Sequence, residues 1–282
     1  MRSNASSSTD PDRGAGHGRV AGSGRAPGTW PVIDDRPTIV FLHGARLTGA
    51  SWRPQVAALR EDFRVLTPDL PGHGRAASQP FTMDGAADAV IDVIAREATG
   101  GRAILVGLSL GGYVAMTVAA RAPERVIGLV VSGATAEPTG GRALAYFALA
   151  GVFRYVPERV LNRANRWFFG RRFPASIGDE ILAEGFSFAA GAIAVRALVG
   201  QRFKPRLAAW PGPTLLLNGE WDLFFRPTER GFADVAANAE RRLIPGATHL
   251  ANLDRPEAFT AAVRRFAERV IEREHPDTRI PA

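Results

Sequence analysis

Short apolar runs alternate with segments of helical spacing along most of the chain. The run 38–42 is almost continuously apolar and rich in β-branched residues, a pattern typical of a strand covered on both faces. The same pattern predicts strands at 64–67, 103–106, 125–131, 214–217 and 242–244. Apolar positions at helical spacing predict helices at 51–59, 83–97, 113–121 and 256–272. This order predicts an α/β fold, in which helices flank a mostly parallel central sheet.

The alternation is interrupted between the strand ending at 131 and the strand beginning at 214. We interpret residues 136–206 as a helical cap inserted into a core formed by residues 29–135 and 207–282. The interval is rich in Phe, Tyr and Trp, and helical pieces are predicted in it at 141–155, 158–169, 178–188 and 190–203. Most of these aromatic side chains should form the cap's own small core, and the others should line a pocket beneath it.

Composition limits the cellular compartments in which the protein is expected. Residues 1–28 hold almost no large apolar side chain, so we expect a disordered tail without the apolar core of a secretory signal. The longest apolar run, 143–153, is about half of the roughly 20 residues that a membrane span needs. The chain has no cysteine, which excludes disulfides and thiolate chemistry. We therefore expect a cytoplasmic protein with no integral membrane segment.

The net charge of +7 is unevenly distributed. Residues 136–206 carry ten arginines and one lysine against five acidic residues. No stripe of lysines alternates with stacking aromatic residues, so nucleic-acid binding is not expected. Anionic substrates or surfaces should instead be attracted at low ionic strength. Residues 44–51 mimic a phosphate-binding loop, but Ala50 stands where that loop needs lysine, which excludes nucleoside triphosphates.

The stretch 107–111 reads Gly-Leu-Ser-Leu-Gly between a predicted strand and a predicted helix. A Cβ at Gly107 or Gly111 would strike the adjoining strand or helix, so the turn lifts the Ser109 hydroxyl clear of the sheet. The helix that follows directs its unpaired N–H groups to the same place, where an oxyanion could be held. Because the chain has 30 glycines, the match could arise by chance and needs support elsewhere.

A serine hydroxyl needs a base to become a nucleophile, and the base needs a third group to orient it. Among the five histidines, His249 follows the last predicted strand. Parallel strands bring their carboxyl ends to one sheet edge, so His249 should lie near Ser109. The other four lie in tails or in upstream loops, at His17, His275, His43 and His73.

Several carboxylates could orient His249. Asp222 follows the strand 214–217 in a short loop and is the preferred acid, ahead of its neighbour Glu220. Glu137 follows the preceding strand and is the substitute. Asp254 precedes a proline at the start of the closing helix, where a capping role is expected.

Two loops near the first strands complete the pattern. His43 and Gly44 follow the strand 38–42, and a glycine there would let the chain turn so that the N–H of Ala45 faces the pocket. In the loop 68–75, prolines and glycines surround Asp69 and His73, so we expect both side chains to pack rather than react.

Residues 37 to the end resemble the α/β-hydrolase family, in its chain order of nucleophile, acid and histidine. The matching pieces are His43-Gly44-Ala45, the loop 68–74, the turn at Ser109, Asp222 and His249. The resemblance is to serine-nucleophile, cap-bearing members of esterase or lactonase type. Serine at 109 is unlike the haloalkane dehalogenases and epoxide hydrolases, which place Asp there. The antiparallel hairpin with which the family opens has no clear counterpart in residues 18–35.

The resemblance implies a hydrolase that cleaves a carboxylic ester or related acyl substrate, apolar or with an acidic group, through an acyl-enzyme. Ser109, Asp222 and His249 would be catalytic, and the N–H groups of Ala45 and Leu110 would bind the oxyanion. No cofactor or metal is needed. The alternatives are a carbon–carbon bond hydrolase or lyase with the same triad, and a non-catalytic ligand receptor on this fold. The oligomeric state stays open.

Overall fold

A six-stranded sheet forms the centre of the computed structural model, which describes residues 35–274. All neighbouring strands are parallel, in the order β2-β1-β3-β4-β5-β6. The strands are β1 Thr38–Leu42, β2 Arg64–Leu66, β3 Ala103–Leu108, β4 Val126–Ser132, β5 Pro213–Gly219 and β6 Asn238–Ile244. The predicted α/β class with a mostly parallel sheet is confirmed. The expectations for the 1–28 tail and the 18–35 hairpin fall almost entirely outside the described residues.

Helices connect the strands and cover both faces of the sheet. The core helices are α1 Arg53–Leu59, α2 Met83–Glu97, α3 Leu110–Arg121, α9 Glu229–Ala233, α10 Ala251–Asp254 and α11 Pro256–Glu274. Between β4 and β5 lie α4 Ala143–Tyr155, α5 Glu158–Arg172, α6 Ala175–Glu184, α7 Phe188–Leu198 and α8 Lys204–Ala209. The predicted boundary at 206 falls inside α8, and the division into core and cap stays a prediction.

Alternate residues of the inner strands enter two different apolar clusters. Val40 and Leu105 pack into the cluster on the side of α2 and α3, whereas Ile39 and Val106 pack towards α1 and α11. This follows from the alternation of side chains along a strand. All four are fully buried, and burying a side chain of this size contributes roughly 1.5–3 kcal/mol. Burial on both faces explains why these strands are continuous apolar runs.

The last strand is longer than its sequence pattern predicts. The apolar pattern marks only 242–244, but β6 begins at Asn238. β6 pairs with β5 alone, at the edge of the sheet, and most of its residues are at least partly exposed. Backbone pairing with β5 therefore extends the strand through polar residues that give no apolar signal. Helix α6 is also displaced from the predicted 178–188, because it starts after Pro174 and ends before Gly185, whose φ is +77°.

Within residues 35–274, no single helix is both long and apolar enough to cross a membrane. Only α6 and α7 taken together reach that length and composition, and they meet at a bend of 90°. The cytoplasmic location expected from the sequence stays a prediction.

Candidate active site

Ser109 occupies a strained turn between β3 and α3. Its φ of 54° and ψ of −115° are rare for a residue with a side chain, and its N–H donates to the carbonyl oxygen of Ser132 at 2.8 Å. A Cβ at Gly107 would lie 2.3 Å from the oxygen of Gly111, and one at Gly111 would lie 2.1 Å from the oxygen of Leu42. Both glycines are therefore required for this close approach, as the sequence predicts.

His249 and Asp222 are hydrogen-bonded to each other. The Nδ1 atom of His249 lies 2.9 Å from Oδ2 of Asp222, whose side chain is only 4% exposed. The other carboxylate oxygen accepts the N–H of Phe225 at 3.3 Å, and the Phe225 ring stacks on the imidazole at 5.0 Å between centroids. With Nδ1 donating to the carboxylate, Nε2 is the nitrogen able to accept a proton.

Main-chain hydrogen bonds hold together the loops that carry Asp222 and His249. The N–H of Trp221 donates to the oxygen of Ala247 at 2.8 Å, and the N–H of Glu220 donates to the oxygen of Ile244 at 3.0 Å. The Glu220 carboxylate accepts the N–H of Gly246 at 2.8 Å. Glu220 is therefore used to join the two loops, and Asp222 is left as the partner of His249.

Gly133 supports the imidazole from behind. It follows β4 with a φ of +57°, and its N–H donates to Oδ1 of Asn218 at 2.8 Å. A Cβ at this position would lie 2.6 Å from Cε1 and 2.8 Å from Nδ1 of His249. Gly133 was not predicted from the sequence, because a glycine at a strand end gives no sign of what it contacts.

Asp254 has a different role from the expected helix cap. Its Oδ2 accepts the N–H and the hydroxyl of Thr248 at 2.7 Å and 2.6 Å, and its Oδ1 accepts Nε of Arg172 at 2.8 Å. Burial raises the pKa of Asp254, but these hydrogen bonds outweigh burial, so the pKa is below its usual value. The capping expectation is wrong, because Asp254 ends the unpredicted helix α10 and fixes the residue before His249.

Glu137, the substitute acid, is engaged away from His249. Its carboxylate accepts the N–H groups of Phe203 and Lys204 at 2.7–3.1 Å. These N–H groups belong to the start of α8, where the first turn of a helix leaves donors without internal partners. Glu137 therefore stabilises a helix end.

Ser109 and His249 line one cavity of about 240 Å³, together with two sequence-predicted backbone donors. Leu110 is the first residue of α3, so its N–H has no partner within the helix. The other lining residues are mostly apolar and several come from α4 and α7: Ala45, Leu110, Tyr113, Ala145, Tyr146, Leu149, Val195, Leu198, Phe224 and Phe225. A larger groove of about 690 Å³ lies beside α1 and α6 and is lined by neither Ser109 nor His249.

Two tyrosine hydroxyl groups form a polar spot in this cavity wall. Tyr113 donates to the carbonyl oxygen of Ala136 at 2.5 Å and lies 2.6 Å from the hydroxyl of Tyr146. Burial raises the pKa of both groups. The pair therefore stays neutral at physiological pH and links α3 to α4.

The histidines upstream of Ser109 are bound into the loops that carry them. His43 donates from Nδ1 to the oxygen of Gly44 at 3.0 Å, and its Nε2 accepts the N–H of Leu70 at 2.9 Å. Burial, with a smaller effect of neighbouring His73, lowers the pKa of His43 to about 4. Asp69 accepts the N–H groups of Gly49 and Arg75 at 2.8 Å and 2.9 Å. These contacts match the packing role expected of the loop 68–75.

Arg46, and not Gly44 as the sequence suggests, makes the turn after β1. Gly44 does not have a positive φ, and a Cβ there would make ordinary contact with the Cβ of Ser109 at 3.5 Å. The left-handed residue is Arg46, with a φ of +63°. Arg46 therefore turns the chain after Ala45, although arginine is seldom found in this conformation.

Within residues 35–274, no three or more His, Asp or Glu side chains lie close enough together to hold a metal ion. The groups that the structure brings together at this cavity are a hydroxyl, an imidazole, a buried carboxylate and backbone donors. This set is suited to nucleophilic attack on a carbonyl carbon.

Comparison with models of protein families and with solved structures identifies the family of this chain. Residues 39–262 match the model of the Alpha/beta hydrolase family. An esterase structure from Thermogutta terrifontis superimposes with a TM-score of 0.68 at 27% identity, covering 83% of this chain and 90% of that one. This chain belongs to the alpha/beta hydrolase family.

Curated relatives cover nearly the whole of the described fold. A pimeloyl-[acyl-carrier protein] methyl ester esterase from Edwardsiella ictaluri is 30% identical over 244 residues, which are 82% of this chain and 93% of the relative. A 3-oxoadipate enol-lactonase from Acinetobacter baylyi is 25% identical over 249 residues, 84% and 91% of the two chains. These relatives share one fold but differ in the substrates that their names state.

Proposed function

We propose that this chain is a serine hydrolase that cleaves a carboxylic ester or a related acyl substrate through an acyl-enzyme intermediate. The observation that carries the proposal is the Asp222–His249 hydrogen bond of 2.9 Å beside a cavity that His249 shares with Ser109. A buried carboxylate that fixes the tautomer of a histidine next to a strained serine is the arrangement that activates a hydroxyl nucleophile.

In the proposed reaction, Ser109 Oγ attacks the carbonyl carbon and His249 Nε2 accepts the hydroxyl proton. Asp222 stabilises the imidazolium, and the N–H groups of Ala45 and Leu110 bind the oxyanion. His249 then gives the proton to the leaving alcohol. Water, deprotonated by His249, hydrolyses the acyl-enzyme and regenerates the serine.

Two further findings support an acyl substrate of modest size. The cavity of about 240 Å³ has mostly apolar walls, to which α4 and α7 contribute, and apolar walls favour an acyl chain over a polar group. Relatives that align over most of the chain include an esterase and a lactonase by name. We propose that the insertion of residues 136–206 acts as a cap over this cavity.

The test is turnover of 4-nitrophenyl esters of graded acyl length, combined with labelling by a fluorophosphonate probe. We expect labelling at Ser109 and a loss on the order of a millionfold in kcat for Ser109→Ala. Ser132→Ala is the matched control. Ser132 ends β4 opposite Leu108, and its buried hydroxyl has no hydrogen-bond partner among the described residues, so activity should be unchanged.

Full esterase activity in Ser109→Ala would exclude the mechanism. Labelling of Ser109 without turnover of any ester would favour carbon–carbon bond cleavage by the same residues. Thermal stabilisation by a ligand that is not consumed, with no labelling of Ser109, would favour a receptor.

A further inference from the structure

Arg46 carries a charge for which the described protein provides no counter-ion. Its Nη1 atom is inaccessible to solvent and has no hydrogen-bond partner, and no ion pair joins the guanidinium to any of residues 35–274. The guanidinium lies over the rings of Phe169 and Phe186, whose centroids are 6.0 Å and 5.4 Å from Cζ. Ring faces compensate a partly desolvated cation only in part.

The pKa of Arg46 agrees with a missing counter-ion. Burial lowers this pKa to about 10, whereas a neighbouring carboxylate would raise it. The side chain is still charged at neutral pH. A cation in this condition would gain from any anion that reaches it.

The backbone of Arg46 is held in place between the sheet and α7. The carbonyl oxygen of Arg46 accepts the N–H of Ser187 at 3.0 Å, and a Cβ at Gly191 would lie 3.1 Å from the Arg46 nitrogen. Among the described residues, only Arg46 and Ser109 have a positive φ without being glycine. Such strain persists where the surroundings impose it, and it concentrates at functional positions.

The backbone of Arg46 adjoins the cavity that Ser109 lines. Ala45, which directly precedes Arg46, lines this cavity, and so does Val195 of α7. Gly191, in contact with Arg46, is four residues before Val195, which corresponds to about 6 Å along a helix. An acyl chain that runs from Ser109 past Val195 along α7 would therefore reach the turn that carries Arg46.

We propose that the Arg46 guanidinium binds a carboxylate at the far end of the substrate's acyl chain, so that half-esters of dicarboxylic acids are the preferred substrates. This inference rests on the proposed hydrolase function and names its substrate class. The planar fork of a guanidinium matches the two oxygens of a carboxylate. The ester carbonyl would be held by the N–H of Ala45 while the distal carboxylate is held by the next residue.

The experiment compares two 4-nitrophenyl esters of equal shape. Mono-4-nitrophenyl glutarate carries the distal carboxylate, and 4-nitrophenyl 5-methylhexanoate replaces it with an isopropyl group. We expect kcat/KM of the wild-type protein to be higher for the acidic ester. A hydrogen-bonded ion pair contributes about 1.5–3 kcal/mol, so its loss should lower the acidic-to-neutral ratio by roughly 10- to 100-fold.

Arg46→Gly is the informative variant, because glycine accepts the positive φ of this position and keeps the turn. The acidic-to-neutral ratio should fall in Arg46→Gly and recover in part in Arg46→Lys, which restores the charge without the fork. Arg154→Gln is the control. Arg154 is exposed on α4, over the ring of Tyr155, and its loss should leave the ratio unchanged.

Added salt separates a local ion pair from the general positive charge of the insertion. Salt screens exposed charges strongly and partly buried pairs much less, so the preference should persist at high ionic strength. A wild-type ratio near one, an unchanged ratio in Arg46→Gly, or equal losses in Arg46→Gly and Arg154→Gln would each overturn the inference while leaving hydrolysis intact. Absence of turnover with both esters would instead contradict the proposed function.

Discussion

Replacing Gly133 with alanine should lower kcat about 100-fold while leaving the protein folded. The added methyl group would lie 2.6 Å from Cε1 of His249, whereas non-bonded carbons prefer about 3.5–4.0 Å. The backbone of Gly133 is fixed by its hydrogen bond to Asn218, so the imidazole has to move by about 1 Å. That movement displaces it from Asp222 and from the cavity.

The magnitude follows from two separate effects. A side chain at a φ of +57° costs roughly 1–2 kcal/mol in stability, which lowers the Tm of a protein of this size by roughly 2–6 °C. A displacement of about 1 Å in a catalytic group costs on the order of 100-fold in kcat. Thermal unfolding and 4-nitrophenyl ester kinetics measure the two effects independently.

Gly100→Ala is the matched control. Gly100 has a φ of +63° with nothing within 4 Å of the added Cβ, so it reproduces the backbone strain without the collision. Gly133→Ala should lose at least as much stability as Gly100→Ala, and only Gly133→Ala should lose activity. Wild-type kcat in Gly133→Ala, or equal loss of kcat in both variants, would refute the steric reasoning.

Two further predictions concern titratable groups. Asp222→Asn should lower kcat about 10⁴-fold, because His249 loses the partner that fixes its tautomer, whereas Glu137→Gln should cost about 1 kcal/mol in thermal stability and leave kcat within twofold. Equal losses of kcat in Asp222→Asn and Glu137→Gln would contradict the assignment of Asp222 as the partner of His249. The pKa of His43 falls from 6.5 to about 4 on folding. As the pH falls, the unfolded chain therefore takes up a proton that the folded protein does not bind, and the free energy of unfolding should decrease by about 3 kcal/mol from pH 7 to pH 4. Urea unfolding should show this loss, reduced in His43→Gln; parallel curves would contradict it.

The central sheet and the serine turn were predictable because their signals are local. Continuous apolar runs mark strands buried on both faces, as in β1 and β3. The glycines on either side of Ser109 follow from close backbone contacts that this kind of turn always makes. The edge strand β6 gave a weaker signal, since its exposed residues carry no apolar pattern.

The hydrogen-bond partners of the acidic residues were harder to predict from the sequence. Asp222 and Glu137 both follow strands, and the sequence alone left a choice between them. The structure separates them: Asp222 lies 2.9 Å from His249, and Glu137 holds the first N–H groups of α8. Because α8 itself gave no pattern, nothing in the sequence pointed to that use of Glu137.

The sequence by itself determined the fold class and favoured Ser109, Asp222 and His249 as candidates in that chain order, because strand periodicity and turn sterics act over a few neighbouring residues. Only the tertiary structure decided which groups meet. Gly133 against His249 and Arg46 without a counter-ion depend on contacts between segments far apart in the chain. Packing in three dimensions sets such contacts, and a linear pattern of apolar and polar residues does not encode them.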